Sequence, residues 1–433
     1  MRRVVITGVG VVSPIGIGRE KFWANLIAGQ TGIRHIEAFD PGGLPCQIAG
    51  QVPPFKIIDY VPKSYRKSTK VMARDTELAL IAADDAFRDA KLNSKAYTET
   101  ADFDGTRFGC NIGAGLIGAE LNELTAAMFT ASDGPTLDLN RWGKDGMFQL
   151  TPLWLLKYLP NMLACHVTIV HQLKGPSNTI TCADSSSHLA IGEAFRTIQR
   201  GKADLAICGG AESKIQPLGF FRQILLKRLT STHNDTPQSA CRPFDADADG
   251  TVMGEGGGLF ILEELGRALE RKAAIYAELV GFAATQDTYR ITEPDPTGHS
   301  YSRAIINALA DAKLAAAQVS MIVPHGLGIP THDRAELTGF GKVFGDRLSR
   351  IPFAPIKAQT GCLAAGCGID AAATVLAIKH NTVPPAVNTK RPHDGFALNV
   401  SPECRTAQID IALSSTYSLG GQNAALVFKR WEP

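Results

Sequence analysis

The sequence has little that would tie it to a specialised environment. No apolar run reaches the ~18 residues of a membrane span, and no signal-peptide pattern precedes the first apolar run, Val4-Val5-Ile6. The 44 lysines and arginines nearly balance 42 acidic residues, leaving a net charge of +2. No global attraction to nucleic acid or to a membrane surface is therefore expected. Nine cysteines include no Cys-x-x-Cys pair. Their spacing fits neither a zinc site nor a disulfide framework, so no metal is expected, and reduced thiols suggest the cytoplasm. The stretch Gly8-Val9-Gly10 lacks the third glycine and the later acidic partner of a dinucleotide loop, which excludes that reading.

What is present is strand–helix alternation over 433 residues, 45% of them hydrophobic, with no low-complexity linker. Buried strands are expected over 4–12, 107–113, 178–183, 203–209 and 257–265. Helical spacing covers 69–90, 153–171 and 185–200. A second series follows, with strands over 274–282, 320–325, 351–357, 409–417 and 424–429 and helices over 301–312, 333–344 and 368–380. Two similar halves, 1–265 and 266–433, imply an α/β protein with covered sheets.

Chemistry-bearing residues cluster in four segments. Gly175-Pro176-Ser177-Asn178-Thr179-Ile180-Thr181-Cys182-Ala183-Asp184 runs from a strand into a helix, and Gly209-Gly210-Ala211-Glu212 follows 25 residues after Asp184. His325-Gly326 precedes Asp333 and Glu336. Lys357-Ala358-Gln359-Thr360-Gly361-Cys362 precedes small residues, and Tyr417-Ser418-Leu419-Gly420-Gly421 lies near the end. An anion at a strand-to-helix elbow is favoured by the helix N-terminus, so Asp184 suits a cap. A thiolate there would be an activated nucleophile. Cys182 is two residues upstream and is expected one step deeper in the strand.

These segments resemble the active site of the elongating β-ketoacyl-acyl-carrier-protein synthases, and the likeness runs from Val4 to Phe428. It implies the thiolase fold: two pseudo-duplicated halves in five α-β-α-β-α layers. It also implies that Asp184 holds the place of the nucleophilic cysteine. His325 matches the first catalytic histidine, Cys362 replaces the second, and Lys357 matches the lysine. The family's glutamate falls on Ala371, and Asp370 is expected on another side of that helix. The threonine-rich tail after the first histidine is replaced by Leu327, Gly328 and Ile329. Leu419 occupies the gate of the acyl pocket, with Met162 and Leu163 as further tunnel candidates beside Val167, Met128 and Phe129. Basic residues Arg66, Lys67, Lys70, Lys227 and Arg228 match the carrier-protein docking region.

The pattern is similar to the chain-length factors, ketosynthase-like subunits without the cysteine. The resemblance implies pairing with a cysteine-bearing ketosynthase, or a homodimer, through the strand over 178–183. Acyl groups would arrive on the phosphopantetheine of an acyl carrier protein, with no resident cofactor. Two alternatives stand beside this: acyl transfer by a rearranged Cys362–His325–Asp184 set, and malonyl decarboxylation, which in the family uses two imidazoles.

Overall fold

The computed structural model describes residues 1–432. In chain order the long strands are β1 (Val4–Ser13), β2 (Phe108–Gly113), β3 (Ser177–Ile180), β4 (Leu205–Ser213), β5 (Glu255–Glu264), β6 (Ala277–Gln286), β7 (Met321–Val323), β8 (Ile411–Tyr417) and β9 (Gln422–Arg430). They form one hydrogen-bonded path, β7-β8-β9-β6-β1-β5-β4-β2-β3, with the two-residue Gly16–Ile17 paired to β1 as a tenth strand. The main helices are α1 (Arg74–Asp89), α2 (Met162–His171), α3 (Ser186–Gln199), α4 (His299–Asp311), α5 (Pro330–Phe344) and α6 (Gly368–His380).

The path contains the same unit twice. In the first half β3, β2 and β4 are parallel, and β4, β5 and β1 antiparallel. In the second, β7 is parallel to β8, and β8, β9 and β6 run antiparallel. The halves join where β1 meets β6, from Val4↔Leu279 to Ile6↔Ala277. Side chains alternate across each strand, and that alternation builds three cores. On β5, Phe260 and Leu262 face a central core shared with α3 and α6, while Leu259 and Ile261 face a second core under α1 and α2. On β9, Leu426 and Phe428 join the central core, and Ala425 and Val427 a third one under α4 and α5. Helices and sheet therefore alternate in five layers, as the resemblance implies.

Gly8 and Gly10 have a structural use. A Cβ at either position would meet backbone carbonyls of α1, from Ala86 and Ala82 respectively. Glycine lets β1 and α1 approach closely.

The strand expected over 178–183 ends at Ile180, which leaves Cys182 beyond it rather than deeper within it, and three further expected elements differ. Residues 351–357 make no strand; two isolated parallel bridges stand there, Pro352↔Asn399 and Ile322↔Phe353, the second marking where a strand would extend the sheet beside β7. Pro352 and Pro355 each lack an N–H donor, which cuts such a ladder short. The expected helix over 69–90 begins only at Arg74, because Lys63–Val71 is a 3-10 segment and Ala73 is extended. The helical region 153–171 is broken at Pro160 into Trp154–Lys157 and α2.

Candidate active site

Two elbows face each other between the layers. β3 ends at Ile180, and the chain turns through Ala183–Ser185 into α3. Ala183 takes a φ of 45°, a left-handed conformation that a residue with a side chain adopts at a cost of order 1–3 kcal/mol. The Cys182 N–H donates to Ser186 Oγ at 2.8 Å. In the second half Ala364 has a φ of 48° and opens the turn Ala364–Gly366 before α6. The elbows are tied together: Ser187 Oγ donates to the Ala365 carbonyl, and the Ala365 N–H donates to Glu212 Oε2 at 2.7 Å.

Asp184 sits on the first elbow, 1% exposed. Its Oδ2 accepts from Arg228 Nη2 at 3.0 Å, and its Oδ1 accepts from Cys362 Sγ at 3.4 Å. Burial, the largest single influence, would raise its pKa, but the Arg228 guanidinium and then the nearby His325 imidazole together hold the carboxyl below the usual carboxylate range. Arg228 is buried as well. The elbow thus carries an ionised, fully paired carboxylate.

His325 reaches the same place from the loop after β7. Glu336 on α5 accepts from the His325 and Gly326 N–H groups at 2.8 and 2.9 Å, and Asp333 accepts from Leu327, Gly328 and Phe244. These two carboxylates shape the His325 loop. The imidazole stands edge-on to Tyr417 at 4.9 Å between centroids, and its Nε2 lies 3.9 Å from Asp184 Oδ2. That is too long for a hydrogen bond. Neither ring nitrogen has a partner among the described residues. Burial, reinforced by the Lys357 charge, pushes its pKa down to about 3, so the ring is neutral at physiological pH.

Lys357 pairs with Asp370 Oδ2 at 2.6 Å, both fully buried, and this contact keeps the ammonium charged. The expectation for Asp370 is therefore corrected. The carboxylate facing Lys357 comes from the third residue of α6, while Ala371 points into the central core.

Arg228 is the larger correction. It stands beside exposed Lys227 in the sequence and was expected at a docking surface, yet the chain reverses there. Lys227 has a φ of 54° and Arg228 turns inward to Asp184. Arg66, Lys67 and Lys70 are exposed on the 3-10 segment Lys63–Val71. Cys182 is partly buried and lies outside the Asp184 contacts.

Asp184 opens onto a cleft of about 440 Å³ that Leu419, Lys214, Arg222 and Arg228 also line. Met162 and Leu163 do not line it. Leu163 and Val167 belong to the core under α1, and Met162 is buried as well. Met128 and Phe129 line a separate apolar groove of about 630 Å³ with Leu121, Leu124 and Leu218.

The residue types of a thiol–imidazole–carboxylate triad do meet here, but Asp184 lies between the other two. The Cys362 thiol donates to the carboxylate, and the imidazole hydrogen-bonds to neither. A base within reach of the nucleophile, which such a triad requires, is absent from the thiol–imidazole pair.

A duplicated thiolase-type fold with these two elbows defines a condensing-enzyme scaffold. The chain belongs to the β-ketoacyl synthase family: residues 1–268 match the β-ketoacyl synthase N-terminal domain and residues 276–390 its C-terminal domain. It is 37% identical to 3-oxoacyl-[acyl-carrier-protein] synthase 2 of Synechocystis sp. over 433 residues, covering all of this chain and 99% of that one. Among solved structures, the ishigamide ketosynthase/chain length factor superposes with a TM-score of 0.86 at 27% identity, each chain fully covered. A type II PKS acyl-carrier protein in complex with its ketosynthase gives 0.85 at 28%, again over the full length of both.

Proposed function

We propose that this chain is a non-condensing ketosynthase-like subunit of a type II fatty-acid or polyketide system, paired as a chain-length factor with a cysteine-bearing 3-oxoacyl synthase. The observation that carries this reading is the buried Asp184–Arg228 pair on the nucleophile elbow. A carboxylate cannot form a thioester, and an acyl-aspartate would be a hydrolysis-prone anhydride. Cys362 in the second histidine's place leaves one imidazole, and each lost oxyanion donor typically costs ~10²–10³ in rate. An ionised Asp184 also repels a malonyl carboxylate. These points weigh against condensation and against malonyl decarboxylation.

Two surface features support a partner subunit. Strand β3 is the last strand of the sheet path and pairs on one side only, with β2. It carries neither lysine nor proline to block edge pairing. Large apolar side chains are exposed along the segment between β2 and α2, including Phe129, Phe148 and Leu153. Such surface is a usual mark of a protein interface. Arg66, Lys67, Lys70 and Lys227 suit an acidic acyl carrier protein, which would deliver acyl groups on phosphopantetheine. Nine free cysteines fit a reducing compartment such as the cytoplasm. The chain-length-factor role fits the likeness to the ishigamide protein.

Co-expression with a cysteine-bearing ketosynthase from the same type II system tests the pairing. The expected result is a one-to-one complex on affinity purification. Recovery of nothing but a homodimer of this chain would end the proposal.

A further inference from the structure

We infer that the buried cluster behind Asp184 is a binding site for one thiophilic divalent cation of the zinc class. The side-chain donor atoms of Asp184, Cys362 and Cys367 all lie within 4.8 Å of one another. Cys362 Sγ and Asp184 Oδ1 are 3.4 Å apart. A tetrahedral zinc with bonds of ~2.3 Å to sulfur and ~2.1 Å to oxygen sets its ligand atoms roughly 3.5–3.8 Å from one another. Small side-chain adjustments close the difference.

A second, independent observation points into the same place. The His325 side chain is fully buried, and neither of its ring nitrogens has a partner among the described residues. His325 forms a further donor group with Cys367 and Asp370, again within 4.8 Å, so Cys367 is shared by both sets. Asp370 Oδ1 is also unpartnered, while its Oδ2 holds Lys357. Cys362, Cys367 and Asp184 offer two sulfurs and one carboxylate oxygen, a borderline-soft set of three, and the unpartnered His325 imidazole stands next to Cys367 in the adjoining set. That chemistry selects zinc over calcium or magnesium, which prefer oxygen alone.

Charge balance explains why a buried site would accept a dication. Uptake releases the thiol protons of Cys362 and Cys367. Two charges arrive and two protons leave, so the net charge of the pocket is unchanged. The Zn²⁺–dithiolate–carboxylate unit carries −1, and Arg228 supplies +1. Asp184 can use Oδ1 for the metal while Oδ2 keeps its bond to Arg228, an outer contact that orients the ligand. The cleft at Asp184 gives ion and protons a route to solvent. A bound cation would pin the two elbows to each other, a structural role in the place where the family's catalytic groups stand. This inference holds whether or not the chain pairs with a ketosynthase.

The test uses the full-length protein, stripped by chelator under a non-thiol reductant and titrated with Co²⁺ and then Zn²⁺. The expected result is one Co²⁺ per chain with thiolate-to-cobalt charge-transfer absorption, displaced by Zn²⁺. Cys362→Ser and Cys367→Ser should each cut that absorption by about half or more, because each removes one of two thiolates. His325→Ala should weaken uptake at least about tenfold, the scale seen even for outer-shell partners. A variant that fails to fold leaves the wild-type answer standing, because zinc X-ray absorption on the wild-type protein counts the sulfurs directly. Two sulfur neighbours support the site. No uptake, or fewer than two sulfurs around the bound zinc, overturns it.

Discussion

Asp184 and Arg228 are each intolerable without the other. The guanidinium is buried against the carboxylate, and removing one partner from such a pair strands an uncompensated charge. Arg228→Met should therefore cost ~3–5 kcal/mol, read as a lowered urea midpoint with chelator present, and Asp184→Leu combined with Arg228→Met should regain most of it. If Arg228→Met alone is neutral, the pair does not hold the elbow. Asp184→Cys restores a thiol but not the second imidazole, because Cys362 still faces it. Condensation should stay undetectable in a 3-oxoacyl-carrier-protein assay of that variant. Robust turnover would show that a single replacement had silenced the site. The sequence named Asp184, His325, Lys357 and Cys362 correctly as neighbours, because each lies in a motif with a fixed frame. It missed Arg228 because a Lys-Arg doublet looks solvated until one learns that the chain reverses at Lys227. It missed Asp370 because a one-residue shift on α6 chooses between facing Lys357 and facing the core.

At the scale of elements, α2 is held to α1 by a buried histidine. His171 stacks on Phe87 with centroids 3.9 Å apart and hydrogen-bonds Ser94 Oγ through Nδ1 at 2.7 Å. Burial first, then the Arg88 charge, pushes its pKa down to about 3. Its unfolded value is ~6.5. Between those values the unfolded chain holds a proton that the folded chain does not. The stabilisation is thus fully present above pH ~6.5 and is lost as pH falls toward about 3, by up to ~1.4 kcal/mol per pH unit. His171→Phe keeps the stack and removes the titration. Subtracting its urea midpoints from those of the wild type between pH 4 and 7.5 should reveal that slope, and parallel profiles would refute it. Strand β3 gives a second prediction. Thr179→Pro at the sheet edge, where the N–H points away from β2, should convert a dimer to a folded monomer in analytical ultracentrifugation; an unchanged dimer would mean that pairing uses another face. Helix α6 was legible to its ends, since small and apolar residues dominate it from Gly368 to Ile378. The absent strand at 351–357 was not, because β-branched and aromatic residues there outweighed two prolines whose lost donors matter only in a ladder.

Across the whole molecule, the duplicated layers were readable because strand–helix alternation repeats and the central strands are buried on both faces. The continuity of the sheet through β1 and β6 was not, since nothing local in Val4–Ile6 names Ala277–Leu279 as its partner. The features on which the pairing proposal rests are an open sheet edge, exposed apolar side chains between β2 and α2, and a cleft that reaches the elbow. The most direct measurement of the central claim is 3-oxoacyl product formation from acyl- and malonyl-carrier protein. It is run with this chain alone, with the chain plus its cysteine-bearing partner, and with the partner's nucleophile removed. The account predicts product only from the intact pair, and none once the partner's cysteine is gone. Product from this chain alone, or from the pair after that cysteine is removed, would contradict it.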